Sequence, residues 1–251
     1  MEVNVSLQAK QIDLNSDLGE GFDDHAIMPY ISSCNVACGG HHGDKNTIEA
    51  TLNLAMEHQV QVGAHPSFPD KSNFGRKVLD MDLKVLETSL QEQLGLFQEV
   101  MGQFRQPFHH IKWHGALYNQ AAKNLEMAQM LSGLVIKHYP STLLYVPYGS
   151  KMAMACEQLG VPVWYEVFAD RVYTSDLSLM PRTHPESILQ DFCDIKGQVS
   201  QILNGGAVMT WGGKIKKIKA QTICVHGDHP RAVATTQQLF YFLKELGFTI
   251  K

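Results

Sequence analysis

Residues 11–20 read Gln-Ile-Asp-Leu-Asn-Ser-Asp-Leu-Gly-Glu, a short extended run that passes directly into carboxylates, an amide and a glycine. The run at 11–15 predicts a strand, and the polar residues around its end predict a functional loop. Three carboxylates and one amide within residues 13–20 are more than a capped turn requires. The same succession of a short strand and a polar end recurs along the chain.

Six further apolar, β-rich runs complete a set of seven predicted strands, at 11–15, 33–37, 61–64, 110–112, 142–146, 162–168 and 222–226. The segments between them carry apolar residues every three or four positions and predict amphipathic helices, most clearly at 82–104, 184–203 and 230–246. Strands that alternate with helices are typical of βα units around a parallel sheet. We therefore predict an α/β fold with a single domain over residues 1–251.

Residues 207–220 interrupt this alternation, because two short runs flank Gly212 and Gly213. A two-residue Gly-Gly turn between such runs predicts a β-hairpin. We expect the lysines of its second run, at 214, 216, 217 and 219, to face solvent.

The composition excludes several classes of function. The chain has 251 residues, 44% of them hydrophobic, and a formal net charge of −4, so no charge excess indicates binding to nucleic acid or to a membrane surface. The N-terminal segment lacks the pattern of a signal peptide, and no apolar run is long enough to span a membrane. We therefore expect a cytoplasmic protein with reduced cysteine thiols.

Nearly every predicted strand ends in acids, histidine, glycine or arginine. In parallel α/β folds, the side chains at the carboxyl ends of the strands converge on one ligand site, so these clusters predict an active site there. The candidate residues are Asp13, Asn15, Glu20, His41, Asp44, His65, Lys112, His114, Glu166, Asp170, Arg171, Arg182, His226 and Asp228.

Some of these candidates suit two roles equally. Asp44 precedes a predicted helix, where it fits an N-cap as well as a ligand contact. Arg182 fits either a carboxylate-binding site or the surface, and a His-carboxylate pair such as that in His226-Gly-Asp228 suits proton transfer or metal binding. We expect only one of Lys112 and His114 to reach the site, because side chains alternate along a strand.

Common nucleotide-binding and nucleophile motifs are missing from the sequence. It contains no P-loop, no dinucleotide-binding glycine motif and no nucleophile elbow. A nucleotide, if one is used, is therefore held by scattered residues at the strand ends or by a partner protein.

From about residue 11 to residue 247 the sequence resembles the LamB/YcsF family. The resemblance is carried by Asp13-Leu-Asn-Ser-Asp-Leu-Gly-Glu20, Asn35-Val-Ala-Cys-Gly-Gly-His41, Gly63-Ala-His-Pro66, Phe74-Gly-Arg76, His114-Gly-Ala-Leu-Tyr-Asn119, Glu166-Val-Phe-Ala-Asp-Arg171 and Cys224-Val-His-Gly-Asp228. It implies a distorted seven-stranded (β/α) barrel, TIM-like and similar to the barrel of glycoside hydrolases and deacetylases. His42 and Trp113 depart from the family pattern at the expected mouth of that barrel.

The resemblance also implies an activity, because the family's assigned role is that of the A subunit of the bacterial ATP-dependent 5-oxoprolinase. It implies hydrolysis of 5-oxo-L-proline to L-glutamate while ATP, bound with Mg²⁺, gives ADP and phosphate. It further implies two partner proteins, subunits B and C, and we add a homo-oligomer as an expectation.

Within that reaction each candidate has an interpreted role. We interpret Asp13, Glu20 and His41 as groups that activate water or position the substrate. His65 or His226 would donate a proton to the leaving nitrogen. The candidates for binding substrate or ATP are Asn15, Asp44, Lys112, His114, Glu166, Asp170, Arg171, Arg182 and Asp228.

Two other classes of function also fit the sequence. One is a metal-dependent amidohydrolase or deacetylase of the same barrel class, in which a divalent ion would bind Asp13, His41 and His65. The other is a non-catalytic subunit that binds 5-oxoproline or another small acid and presents it to partner enzymes.

Overall fold

Seven parallel strands form a closed ring in the computed structural model, which describes residues 10–104, 107–227 and 231–251. The strands of those ranges are β1 (Lys10–Leu18), β2 (Ser33–Ala37), β3 (Gln61–His65), β4 (His110–Ile111), β5 (Leu143–Pro147), β6 (Val163–Phe168), β7 (Ala207–Met209), β8 (Ile215–Lys217), β9 (Thr222–Cys224) and β10 (Phe248–Ile250). β1 to β6 follow one another around the ring, and β9 closes it by pairing with both β6 and β1. The predicted seven-stranded, TIM-like (β/α) barrel is confirmed.

Helices connect the strands and pack on the outside of the ring. The α-helices in the described ranges are α1 (Asp24–Ile27), α2 (Lys45–His58), α3 (Leu83–Met101), α4 (Gly115–Ala121), α5 (Leu125–His138), α6 (Lys151–Leu159), α7 (Phe192–Gly205) and α8 (Ala232–Glu245), and Met28–Tyr30 forms a short 3-10 helix. α3 confirms the helix predicted at 82–104. Asp82 caps its first turn by accepting a hydrogen bond from Lys84 N at 2.8 Å. Its apolar stripe is buried in the core, with Leu90 and Phe97 fully enclosed.

The start of α7 differs from the prediction. The sequence pattern predicts a helix from residue 184, whereas α7 begins at Phe192, where the Asp191 carboxylate caps the first turn. The residues before it are held by Arg171, whose Nε donates a hydrogen bond to the carbonyl of Ser187 at 3.1 Å. The helix predicted at 230–246 corresponds to α8, and its predicted first residue, Pro230, lies outside the described residues.

Three short strands lie outside the ring. The hairpin predicted around Gly212 and Gly213 is confirmed, because β7 and β8 pair antiparallel and the lysines at 214, 216, 217 and 219 are exposed. The sequence pattern did not predict β10, which pairs in parallel with the first residues of β1. A strand of three residues is too short to show a clear alternation of apolar and polar positions.

None of the helices described in this chain is both long and apolar enough to cross a membrane. The single-domain organisation, the cytoplasmic location and the homo-oligomer stay predictions.

The inside of the ring is polar. β1 continues to Leu18, beyond its predicted end at residue 15, so Asp13, Asn15 and Asp17 lie on the same face of one strand. All three are buried, and each hydrogen-bonds to side chains of other parts of the ring. The barrel is therefore filled by polar groups that must satisfy one another.

Gly63 on β3 makes space for one of these polar groups. Its neighbour in β4 is His110, a fully buried imidazole that hydrogen-bonds through Nε2 to Asn35 Oδ1 at 2.7 Å. A Cβ at Gly63 would overlap the His110 ring. That ring is stacked on Tyr145 with 4.0 Å between the ring centroids, so it has no room to move away.

We predict that Gly63→Ala lowers the free energy of unfolding by about 1–3 kcal/mol, because overpacking displaces a buried ring. Gly95→Ala is the matched control, since Gly95 lies exposed in α3 and a Cβ there meets nothing within 4 Å. That change should raise the free energy of unfolding by roughly 0.5–1 kcal/mol, because alanine suits a helix better than glycine. Urea unfolding measures both, and equal stability of the two variants would contradict the prediction.

Candidate active site

An open cavity of about 640 Å³ lies at the carboxyl ends of the strands. β1, β3, β4, β6 and β9, or the loops that follow them, bring ionisable side chains to it. Those side chains include Asp17, Glu20, His65, Lys112, His114, Arg171 and His226. The site predicted at the strand ends is therefore a real concave surface with acids, bases and cations around it.

Lys112 lies at the floor of this cavity and is almost fully buried. Its Nζ is 2.8 Å from Asp17 Oδ1 and 3.0 Å from Glu166 Oε1. Burial disfavours the ammonium, but attraction from Asp17 and other neighbours, Glu166 among them, outweighs burial and raises the pKa of Lys112 well above its ordinary value. Lys112 therefore remains a fixed positive charge and does not transfer protons near neutral pH.

Asp13 lies deeper in the ring than these residues and does not line the cavity. Its carboxylate accepts hydrogen bonds from the hydroxyls of Ser32, Ser33, Tyr145 and Thr222. Burial raises the pKa of Asp13 above its ordinary value, although these four hydrogen bonds oppose the rise. The structure thus separates Asp13 from the mouth and gives it a set of partners within the barrel.

Two asparagines form the layer between Asp13 and the mouth. Asn15 donates to Glu166 Oε1 at 3.0 Å, and its Oδ1 accepts a hydrogen bond from Asn35 at 2.8 Å. Asn35 also donates to Asp17 Oδ1 at 2.8 Å. Asn15 was a candidate for binding substrate or ATP, but it lies beneath the cavity, where it orients the carboxylate of Glu166 while Asn35 orients that of Asp17.

Glu20 is held at the mouth by a histidine behind it. His41 Nε2 donates a hydrogen bond to Glu20 Oε1 at 2.9 Å. Burial, and then the proximity of His65, lowers the pKa of His41 to about 2, so its imidazole stays neutral. His41 does not line the cavity and is stacked on His114 with ring centroids 3.6 Å apart. Its geometry suits positioning of Glu20 more than direct proton transfer.

His65 and His114 lie side by side in the cavity wall. His65 Nε2 and His114 Nδ1 are 2.9 Å apart. Burial, followed by the nearby His41 and His65, lowers the pKa of His114 well below its ordinary value. The expectation that only one of Lys112 and His114 reaches the site is wrong, because residues two apart in an extended segment share a face and both line the cavity.

A second histidine–carboxylate pair is at the rim. His226 Nδ1 donates to the Asp170 carboxylate, with distances of 3.1 and 3.2 Å to its two oxygens. The half-buried imidazole is stacked on Phe168. Because Asp170 holds the Nδ1 proton, Nε2 is the nitrogen of His226 that can exchange a proton with a ligand.

Two arginines add positive charge to the wall. Arg171 is buried, and its guanidinium donates to the carbonyls of Ser187 and Met180, which fixes its position. Arg182 is exposed at the rim, and both arginines line the cavity. A guanidinium group suits the binding of a carboxylate or a phosphate, so this part of the wall favours an anionic ligand.

One predicted site residue, Asp44, lies away from the mouth. Asp44 is exposed and caps α2, where it accepts a hydrogen bond from Thr47 N at 2.9 Å. Asp228 lies outside the described residues. Of the two residues that depart from the family pattern, Trp113 lines the cavity, whereas His42 donates a hydrogen bond to the carbonyl of Gly19 at 2.8 Å.

Asp17 and Arg76 also line the cavity but were not among the candidates. Asp17 was missed because the predicted first strand ended at residue 15, and an alternation continued from Asp13 would have placed it at the open end. Arg76 lies in the long loop after β3, with its guanidinium carbon 4.8 Å from the centre of the Phe74 ring. The segment Phe74-Gly-Arg76, which is one of those that carry the family resemblance, was the sequence feature that could have identified Arg76 as a site residue.

Known proteins resemble this chain over almost its whole length. The model of the LamB/YcsF family matches residues 12–251. The A subunit of 5-oxoprolinase from Shouchella clausii (strain KSM-K16) is 39% identical over 246 residues, which cover 96% of this chain and 97% of that protein. The protein of the same name from Histophilus somni (strain 129Pt) is 40% identical over 242 residues, covering 96% and 98%. A solved structure, the lactam utilization protein from Thermus thermophilus, matches with a TM-score of 0.89 and 30% identity, covering 96% and 99%.

We predict that Asp13→Ala acts mainly on stability and lowers the free energy of unfolding by about 3 kcal/mol, because several buried hydroxyls lose their acceptor. Asp176→Ala is the matched control, since Asp176 also accepts hydrogen bonds from hydroxyls but is exposed. Urea unfolding should show a much smaller effect for Asp176→Ala. Equal effects would contradict the interpretation of Asp13 as part of the barrel's internal packing.

We also predict that Lys112→Met lowers the free energy of unfolding by about 3–5 kcal/mol, because it leaves buried carboxylates without their cation. Lys45→Met is the matched control, since Lys45 forms an exposed pair with Glu99 at 2.6 Å and such pairs contribute little. Adding Glu166→Gln to Lys112→Met should recover part of the loss. Chemical denaturation of the wild type, Lys112→Met, Lys45→Met and the double variant tests this. A double variant no more stable than Lys112→Met would argue against unpaired buried charge as the cause of the loss.

Proposed function

This chain belongs to the LamB/YcsF family, and from that premise we propose that it is the A subunit of an ATP-dependent 5-oxoprolinase. In this proposal it catalyses the opening of 5-oxo-L-proline to L-glutamate, while ATP is hydrolysed to ADP and phosphate. Relatives that carry the name of that subunit, at 39% and 40% identity over nearly the full chain, support the assignment. The name of the Thermus protein, a lactam utilization protein, supports a cyclic amide as substrate.

The single observation that carries the proposal is the arrangement of groups around one cavity. Carboxylates and histidines that can activate water lie on one side, at Asp17, Glu20, His65 and His114. The same cavity has the cations that an anionic substrate requires, among them Arg171 and Arg182. 5-Oxoproline is a small acid with an amide in its ring. Its carboxylate requires a cation for binding, and its amide requires groups that activate water for hydrolysis.

The chemistry follows from the weakness of an amide as an electrophile. Phosphorylation of the lactam oxygen by ATP makes the ring carbon open to attack by water. The water oxygen then bonds to that carbon, the carbon–nitrogen bond of the ring breaks, and the nitrogen gains a proton, which leaves the new carboxyl group as an acyl phosphate. A second water molecule hydrolyses this acyl phosphate to L-glutamate and phosphate. The carboxylate–histidine side of the cavity would take up the proton of the attacking water, and Lys112 would offset negative charge that develops on oxygen.

His226 is suited to the last proton transfer. Asp170 holds its Nδ1 proton at 3.1 Å, so Nε2 presents a single basic nitrogen of fixed orientation. After Nε2 has taken up a proton, a histidine oriented in this way donates that proton to a leaving group and recovers another from solvent. We assign it the protonation of the ring nitrogen.

ATP and its Mg²⁺ are held by strand-end residues of this chain or by partner subunits, since the sequence contains no P-loop. The relatives' name, which designates one subunit of an enzyme, supports a multi-subunit assembly, and we propose subunits B and C as the partners.

A metal-dependent amide hydrolase is the second candidate. Asp17, Glu20, His65 and His114 place one possible ligand atom each within 4.8 Å of one another, and all four are buried. That arrangement is also compatible with direct hydrolysis of an amide without ATP.

The first test is the rate of 5-oxoproline-dependent ATP hydrolysis and of glutamate formation, measured for the chain alone and then with subunits B and C. We expect coupled activity in the mixture and a loss of at least about 100-fold with Glu20→Gln, because a carboxylate that handles the proton of water contributes on that scale. Asp44→Asn should retain wild-type activity, since asparagine caps a helix as well as aspartate does.

Two outcomes would argue against the proposal. Absence of coupled activity in both settings, with an intact fold by circular dichroism, would favour the metal-dependent hydrolase. Full activity of Glu20→Gln, together with 5-oxoproline binding by the isolated chain in calorimetry, would favour a subunit that only presents the substrate.

A further inference from the structure

The two histidines in the cavity wall have their outer ring nitrogens fixed by backbone carbonyls. His65 Nδ1 is 2.7 Å from the carbonyl oxygen of Lys112, and His114 Nε2 is 2.9 Å from the carbonyl oxygen of Phe74. A carbonyl oxygen only accepts hydrogen bonds, so both of these nitrogens carry a proton. In the neutral form of each ring, the other nitrogen then carries a lone pair.

Those other nitrogens face each other. His65 Nε2 and His114 Nδ1 are 2.9 Å apart, and two lone pairs at that distance repel unless a positive centre lies between or beside them. The positive centre is either a shared proton or a metal ion. A histidine that donates its second N–H to a carbonyl is also the usual form of a metal-binding histidine.

Two carboxylates complete the arrangement. Asp17 has one oxygen engaged with Lys112, and its other oxygen, Oδ2, lies 3.3 Å from His65 Nε2. Glu20 Oε1 lies 3.4 Å from His114 Nδ1 and 4.0 Å from His65 Nε2. A proton shared by the two imidazoles would use these carboxylates only to offset its charge, whereas a divalent ion would use all four groups as ligands.

The spacing of the four atoms matches a tetrahedral ion. Bonds of about 2.0–2.2 Å to nitrogen and oxygen separate the ligands of such an ion by roughly 3.3–3.6 Å. Four of the six separations among these atoms are 2.9, 3.3, 3.4 and 4.0 Å, which lie around that range, and the four residues offer ligand atoms that all lie within 4.8 Å of one another. We propose that Asp17, Glu20, His65 and His114 bind one divalent transition-metal ion.

The chemistry of the ligands and their position define the class of ion. Two imidazole nitrogens with two carboxylate oxygens favour Zn²⁺, Mn²⁺, Co²⁺ or Fe²⁺ over Mg²⁺ and Ca²⁺, which prefer oxygen alone. All four residues line the cavity, so an ion and a water molecule can reach them from the mouth. Ion binding does not depend on the 5-oxoprolinase assignment, and in either hydrolytic reaction the ion would lower the pKa of bound water.

This set differs from the ligands expected from sequence, which were Asp13, His41 and His65. Asp13 lies in the barrel interior with its hydroxyl partners, and His41 points Nε2 at Glu20. His41 would therefore support the ion indirectly, by fixing the carboxylate of Glu20.

The test is metal binding by the untagged chain, without substrate or partner subunits. The protein is stripped with a chelator and titrated separately with Zn²⁺, Mn²⁺ and Co²⁺, with calorimetry for affinity and elemental analysis for stoichiometry. We expect one ion per chain, a rise in the unfolding temperature with that ion, and visible absorption of bound Co²⁺ typical of four-coordination.

Variants locate the ion. His65→Ala and His114→Ala should each weaken binding by at least about 100-fold, and His41→Asn by about 10–100-fold, the range for a supporting group. His226→Ala is the matched control, because it is another histidine of the cavity and should retain wild-type affinity. Asp17→Asn offers a nearly isosteric second ligand variant if an alanine variant fails to fold.

Three results would overturn the proposal. One is the absence of stoichiometric binding of all three ions by the folded wild-type chain, which would leave a shared proton between His65 and His114. The second is binding that the ligand variants leave unchanged. The third is equal weakening by His226→Ala, which would place the ion at the rim. Each result is independent of whether 5-oxoproline is turned over.

Discussion

The position of one buried ammonium group constrains the whole interior of this barrel. Lys112 Nζ joins Asp17 of β1 and Glu166 of β6 at 2.8 and 3.0 Å, and two carboxylates this deeply buried would otherwise repel each other. The asparagines beneath them are oriented by the same carboxylates. Because each polar group depends on its neighbours, the floor of the mouth is rigid before any ligand arrives.

Much of the fold was predictable because alternation and helical periodicity are local properties. The seven ring strands and the stripe of α3 depend on patterns within ten to twenty residues, and the structure confirms them. The start of α7 was not predictable, since a long-range hydrogen bond from Arg171 to Ser187 holds the residues that look helical. β10 depends on pairing with a distant strand and leaves no comparable signal.

The sequence made it easier to predict which residues lie near the candidate site than to predict what each of them does there. Polar residues at strand ends converge by topology, so His65, Lys112 and Glu20 were placed at the mouth correctly. The depth of each residue within the ring could not be deduced, because Asp13 and Asp17 are the same residue type on the same face of one strand and differ only in their position along it. The partners that distinguish them, hydroxyls for Asp13 and Lys112 for Asp17, come from distant parts of the chain.

The pairing of β1 with β9 has a consequence for how the protein is made. Thr222 contacts Asp13 across 209 residues of sequence, so the ring remains open until Thr222 has left the ribosome. Until then Asp13 lacks the hydroxyl of Thr222, and β1 lacks its pairing with β9. Such late closure predicts slow folding, because the contacts that close the ring join residues far apart in sequence.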